Sequence, residues 1–150
     1  MALKPDYAIL ADELFTLEHA DFCGVPGYLV LRVRSGAQSL GDLSTGRAQK
    51  LGVMTASAAG AIETIVKAER VYCLSFCEVD RGLHFHLFPR TSGLAAAWRE
   101  AAGVGEDAPI DGAALFAWAR ATFPAGAALP AGFPTVAETC DKLRGLLDPA

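Results

Sequence analysis

The chain has no long apolar run. Its hydrophobic fraction is 52% and its mean hydropathy +0.29, but much of this is alanine, and charge or glycine interrupts each apolar stretch. None of these stretches reads as a transmembrane helix, which needs about 20 apolar residues in succession. The opening "MALKPDYAIL" carries Lys4, Pro5 and Asp6 and lacks the layout of a signal peptide. A cytoplasmic location is therefore the default expectation. Cysteine is sparse. Cys23, Cys73, Cys77 and Cys140 are too scattered for a disulfide framework, and 150 residues can bury a core without staples. Positive charge is not in excess. Thirteen Lys and Arg against 17 Asp and Glu leave a net charge of -4, which argues against a general nucleic-acid binder. A small anionic ligand stays compatible, because a few local arginines can hold one phosphate. Internal repeats are missing, and the hydrophobic content excludes a disordered chain.

What is present reads as alternating short strands and helices. "YAIL" at 7–10 and "LFTLEH" at 14–19 are apolar-rich strands, with Asp12 and Glu13 turning between them. "DFCGVPG" at 21–27 is a loop. "YLVLRVR" at 28–34 puts Leu29, Leu31 and Val33 on one face and Val30, Arg32 and Arg34 on the other. After the loop "SGAQSLGDLS", the residues Leu51, Met54, Ala58, Ala61, Ile62 and Ile65 recur at helical spacing. They predict a helix from about Thr45 to Lys67, capped by Ser44. Gly52 and Gly60 weaken it, while the small side chains of glycine and alanine permit close packing against a sheet.

"RVYCLSFCEV" at 70–79 predicts a strand, "DRG" at 80–82 a tight turn, and "LHFHLFPR" the returning strand. Pro89 cannot donate to a ladder, so that strand should end near it. Residues 91–109 are alanine- and glycine-rich. Asp111 to Phe123 reads as a helix with Leu115, Trp118 and Ala119 on one stripe. A proline-glycine linker spans 124–134, and Thr135 caps a last helix carrying Val136, Cys140, Leu143 and Leu147. Trp98 and Trp118 read as core. The whole chain, 1-150, reads as one α+β domain with a core at about 7-91 and a helical C-terminal extension at about 92-150.

"GLHFHLFPR" at 82–90 holds two of the three histidines. Alternation sets His84 and His86 on one strand face and Leu83, Phe85 and Leu87 on the other. Near neutral pH imidazole serves as nucleophile, base or metal ligand, so the histidine face reads as either a pocket floor or a polar surface. Cys73 and Cys77 share a strand face. A two-residue turn at Asp80 and Arg81 would set Cys77 opposite His84 and Ser75 opposite His86, a conceivable Cys2His2 zinc arrangement. A three-residue turn would move the cysteines to the other side as ordinary core thiols.

The order strand, "PGYLVL", "SLGDL", long helix, strand, "HFHLFPR" resembles the histidine triad family of nucleotide hydrolases and transferases. The likeness spans roughly residues 7 to 91. It implies an antiparallel sheet of about five strands packed by one long helix. It also implies a homodimer, a nucleotide substrate, no cofactor and no metal. The expected substrates are dinucleoside polyphosphates, nucleoside phosphoramidates or similar nucleotides. Aligned on Pro89 and Arg90, His84 takes the position of the family's nucleophile, which forms a nucleotidyl-histidine intermediate at the α-phosphate. His86 takes the position of the phosphate partner. The first triad position is Gly82, where some similar short chains carry glutamine. The family's backbone carbonyl at this position orients the nucleophile, and glycine keeps a carbonyl. Tyr28 stands where the family has a histidine after Pro-Gly, and His19 near an asparagine that touches the ribose. Arg81 would offset the carboxylates Glu78 and Asp80 beside the phosphate, and Arg90 would either close the pocket or pair with an Asp or Glu. The zinc ligands that some members carry near the N-terminus are missing from "MALKPDYAIL". The alternatives are a nucleotide-binding module of the same fold with little catalysis, and a metal-binding structural protein.

Overall fold

The computed structural model describes residues 7–148, so residues 1–6 of the opening segment lie outside the described residues. Five strands form one antiparallel sheet in the order β1-β2-β3-β5-β4: β1 (Ala8–Ala11), β2 (Phe15–His19), β3 (Leu29–Val33), β4 (Arg70–Leu74) and β5 (His84–Arg90). The helices are α1 (Thr45–Val66), α2 (Ser92–Ala102), α3 (Gly112–Thr122) and α4 (Val136–Leu147). Among the described residues, no helix is long and apolar enough to cross a membrane.

Period-two alternation divides the sheet between two cores. Leu29, Leu31 and Val33 of β3 and Phe85 and Leu87 of β5 pack on one face with Leu51, Ala58, Ala61 and Ile62 of α1 and Cys140 and Leu143 of α4. Val30 and Phe88 pack on the other face with Tyr28, Leu94 and Trp98, and with Leu115, Phe116 and Ala119 of α3. The helical extension thus contributes to both cores. Trp98 is buried in the second, and Trp118 packs against it.

Helix boundaries follow side-chain chemistry. Ser44 accepts from the Arg47 amide at 3.3 Å and starts α1. Asp111 and Thr135 cap α3 and α4 in the same way, and Glu138 completes a capping box. The close packing expected of the small residues of α1 is made by its alanines and not by Gly52 and Gly60. Both glycines are exposed, with nothing near their missing Cβ positions, and Ala58 and Ala61 make the approach. Residues 91–102 hold a helix that composition obscured. Thr91 Oγ1 accepts from the Leu94 amide at 3.1 Å, and Gly103 closes α2 in the left-handed region at φ 69°.

The predicted strand over 70–79 and tight turn at 80–82 are corrected. β4 stops at Leu74, and nine residues, 75–83, link it to β5. The Ser75 hydroxyl donates to the His84 carbonyl at 2.7 Å, and Cys77 adopts φ 54°. Phe76 and Val79 are exposed, so their strand propensity has no apolar face to act on. The register pairs Leu74 with His86 and Cys73 with Leu87. Cys73 therefore sits on the face away from the histidines, which removes the Cys2His2 arrangement.

Candidate active site

The loop before β3 is a turn dictated by its sequence. Pro26 and Gly27 occupy its centre, Gly27 has φ 91°, and the Tyr28 amide donates to the Val25 carbonyl at 3.3 Å. His19 fastens this turn to the end of β2. Its Nδ1 donates to the Ala20 carbonyl at 2.8 Å and its Nε2 accepts from the Gly27 amide at 3.0 Å. With both nitrogens engaged and the ring buried, its pKa is lowered, mainly by desolvation. His19 borders the cleft described below, and both its ring nitrogens are engaged in holding the turn.

β5 lies between β3 and β4, where Arg32 faces His84 and Val30 faces His86. The two imidazoles are neighbours, with ring centroids 5.3 Å apart. They border a cleft of about 510 Å³ together with Phe22, Arg32, Cys77, Asp80 and Arg120. The extension leaves this part of the sheet open, and α3 supplies Arg120 to its rim.

His84 Nδ1 lies 2.6 Å from the Gly82 carbonyl oxygen. A carbonyl can only accept, so Nδ1 carries the proton, and in the neutral ring Nε2 keeps its lone pair. The Cys77 sulfur is 3.7 Å from the same Nδ1. The Gly82 amide donates to Asp80 Oδ1 at 3.1 Å, and Arg32 donates to Asp80 Oδ2 at 2.6 Å. These contacts hold the Asp80 carboxyl below the usual range, the Gly82 amide first among them. A Cβ on Gly82 would meet Asp80 Oδ1 at 3.4 Å, an ordinary contact. The carbonyl at residue 82, rather than the missing side chain, is thus what reaches His84.

Tyr28 is fully buried among Phe88, Phe116 and Phe22, and its hydroxyl lies 2.6 Å from His86 Nδ1. Burial raises the phenol pKa, so the hydroxyl stays protonated. Donation to Nδ1 satisfies that proton and leaves the His86 proton on Nε2. Burial chiefly, then the nearby His84, Arg120 and Arg32, pushes the His86 pKa down to about 4. His86 is therefore a neutral N–H donor at neutral pH. Tyr28 lies behind His86 rather than in the cleft lining and meets the site through its hydroxyl on His86 Nδ1.

The remaining predicted residues do not converge on the cleft. Arg81 is exposed and lies outside its lining; Arg32 takes its place beside Asp80. Arg90 ends β5 and pairs with Glu69 at 2.9 Å, because six residues of extended strand carry it away from His84. In "SLGDL", Asp42 shapes its own loop by accepting from the Gln38 and Ser39 amides at 3.0 and 3.1 Å.

No protein-family model matches the chain, and no curated protein matches it. Solved structures do match its fold, which is that of the histidine triad proteins. A histidine-triad-like protein involved in cell-cycle regulation from Bartonella henselae superposes with TM-score 0.57 at 16% identity, over 93% of this chain and 85% of that one. A histidine triad protein from Marinobacter aquaeolei gives TM-score 0.58 at 15% identity, over 93% and 87%. A hypothetical histidine triad nucleotide-binding protein from Sulfolobus tokodaii gives 0.56 at 12%, over 93% and 79%. The matched region includes most of the extension, beyond the stretch where the sequence motifs lie.

Proposed function

We propose that the cleft is a nucleotidyl-transfer site that hydrolyses nucleoside phosphoanhydrides. The observation that carries this reading is the 2.6 Å contact from His84 Nδ1 to the Gly82 carbonyl, which leaves Nε2 as a nucleophile. The Nε2 lone pair attacks the α-phosphorus, the bond from phosphorus to the bridging oxygen breaks, and the leaving phosphate takes the electron pair. The ring becomes cationic while Nδ1 keeps its proton, still donated as a hydrogen bond to the Gly82 carbonyl. Water then attacks phosphorus, the P–N bond returns its electrons to Nε2, and the water proton passes to solvent. His86 donates its Nε2 proton as a hydrogen bond to a non-bridging oxygen. A phosphate leaves as an anion and needs no proton, whereas an amine does. Phosphoanhydrides therefore suit these groups better than phosphoramidates.

Hydrolysis of a dinucleoside polyphosphate in ¹⁸O-labelled water tests the reading. Label should appear in the nucleoside monophosphate, the product of attack at the α-phosphorus. Label in the other fragment alone contradicts it. Thermal stabilisation by nucleotide without turnover would favour a binding module of the same fold. A homodimer belongs to the same reading, because β4 leaves one sheet edge free. A monomer mass by light scattering would remove that part.

A further inference from the structure

Arg120 was not singled out by any sequence motif, yet it sits at the histidines. Its guanidinium carbon lies 5.2 Å from the centre of the Phe22 ring and 5.3 Å from that of Phe116. Both rings stand 6.2 Å from the His86 ring. The two cleft arginines differ in their company. Arg32 is paired with Asp80 at 2.6 Å, whereas Arg120 joins no ion pair among the described residues. Its mount is fixed. Phe116 is buried in the second core, and the loop bearing Phe22 is tied to the end of α3 by the Gly24 amide donating to the Phe123 carbonyl at 2.8 Å. A cation suits the last turn of any helix. That preference alone does not require it to lie on the two rings flanking His86. A guanidinium stacked on aromatic faces keeps its N–H edge free for phosphate oxygens.

We infer that Arg120 binds a second phosphate of the substrate, beyond the one His84 attacks, and so selects nucleoside polyphosphates. This rests on the nucleotidyl-transfer reading above and adds to it a residue that recognises the leaving phosphate. It also gives the C-terminal extension a part in the site.

The test compares kcat/KM for a dinucleoside polyphosphate with that for a nucleoside phosphoramidate of an uncharged amine. Arg120→Met keeps length and apolar contact but removes charge; Arg120→Lys keeps charge. The ratio of the two substrates should fall about tenfold or more in Arg120→Met, and Arg120→Lys should restore part of it. Equal falls for both substrates, or no change, overturn the assignment. Should the wild type turn over neither substrate, the nucleotidyl-transfer reading fails by itself. Calorimetric titration with a nucleoside diphosphate and a monophosphate then decides on Arg120. A loss of about tenfold or more specific to the diphosphate in Arg120→Met supports the second-phosphate contact. An equal loss, no loss, or no binding by the wild type overturns it.

Discussion

The two faces of β5 are built from one heptapeptide and do different work. Phe85 and Leu87 face α1 and α4 in a core closed by aliphatic side chains. His84, His86 and Phe88 face the other way, and only Phe88 is covered by the second core. The difference lies in where the helical extension stops. α3 roofs Phe88 and Tyr28 with Phe116 and then ends at Thr122, with Arg120 in its last turn, so the two imidazoles border open space instead of a third helix. One strand thus anchors with its odd residues and presents chemistry with its even ones.

Substitutions on each face should separate stability from activity. His84→Ala should lower turnover of a dinucleoside polyphosphate by about 10⁴-fold, as loss of a nucleophile does. Its cost to the fold should be about 1–2 kcal/mol, for one buried hydrogen bond. Comparable activity in His84→Ala would erase the distinction between the faces. Leu87→Ala should show the reverse pattern, with a loss of about 2–5 kcal/mol in urea unfolding from a new cavity. The residual folded enzyme should keep its activity per molecule. Tyr28→Phe should be milder, costing about 1 kcal/mol and releasing His86 from its single tautomer. Nitrogen NMR should show the wild-type His86 protonated at Nε2 only, and neutral until the pH nears 4.

The sign of that depressed pKa has a consequence for stability. Unfolded histidine titrates near 6.5, so between about 6.5 and 4 the unfolded chain binds more protons. The contribution of the neutral ring is complete above 6.5 and is lost as pH falls toward 4. A wild-type His86 titrating near 6.5 would contradict this burial of the neutral ring and remove the pH dependence. Gly82→Ala should have the smallest effect, within a few tenths of a kcal/mol in stability and about twofold in rate, because the carbonyl stays and the added Cβ has room. A large loss there would mean that the main-chain conformation at residue 82 depends on glycine.

Local chemistry explains how much of this could be read in advance. Strand alternation in "HFHLFPR", the helical period after Ser44 and the caps at Asp111 and Thr135 are local signals, and the elements follow them. The end of β4 was not readable, because Phe76 and Val79 carry strand propensity but meet no partner surface. α2 was hidden by its alanines and glycines, although Thr91 as cap and Gly103 as stop could have marked it. In the site, His84 and His86 were legible from the alternation of one strand, and the contact of the Gly82 carbonyl with His84 was an expectation from the family resemblance. Contacts made across the fold were not legible. Tyr28 meets His86 across 58 residues, and Arg120 reaches the cleft from a helix whose own pattern shows only a core stripe. His19 looked like a pocket residue because spacing cannot reveal that two backbone groups already occupy its ring.

The nucleophile is the central claim, and trapping its intermediate tests it most directly. The wild type is mixed with excess dinucleoside polyphosphate, quenched in base within a turnover, and mapped by peptide mass. The account predicts one nucleoside monophosphate group on the peptide containing His84, absent from His84→Ala and retained in Gly82→Ala. Turnover with no adduct on that peptide, or an adduct that survives in His84→Ala, would contradict it.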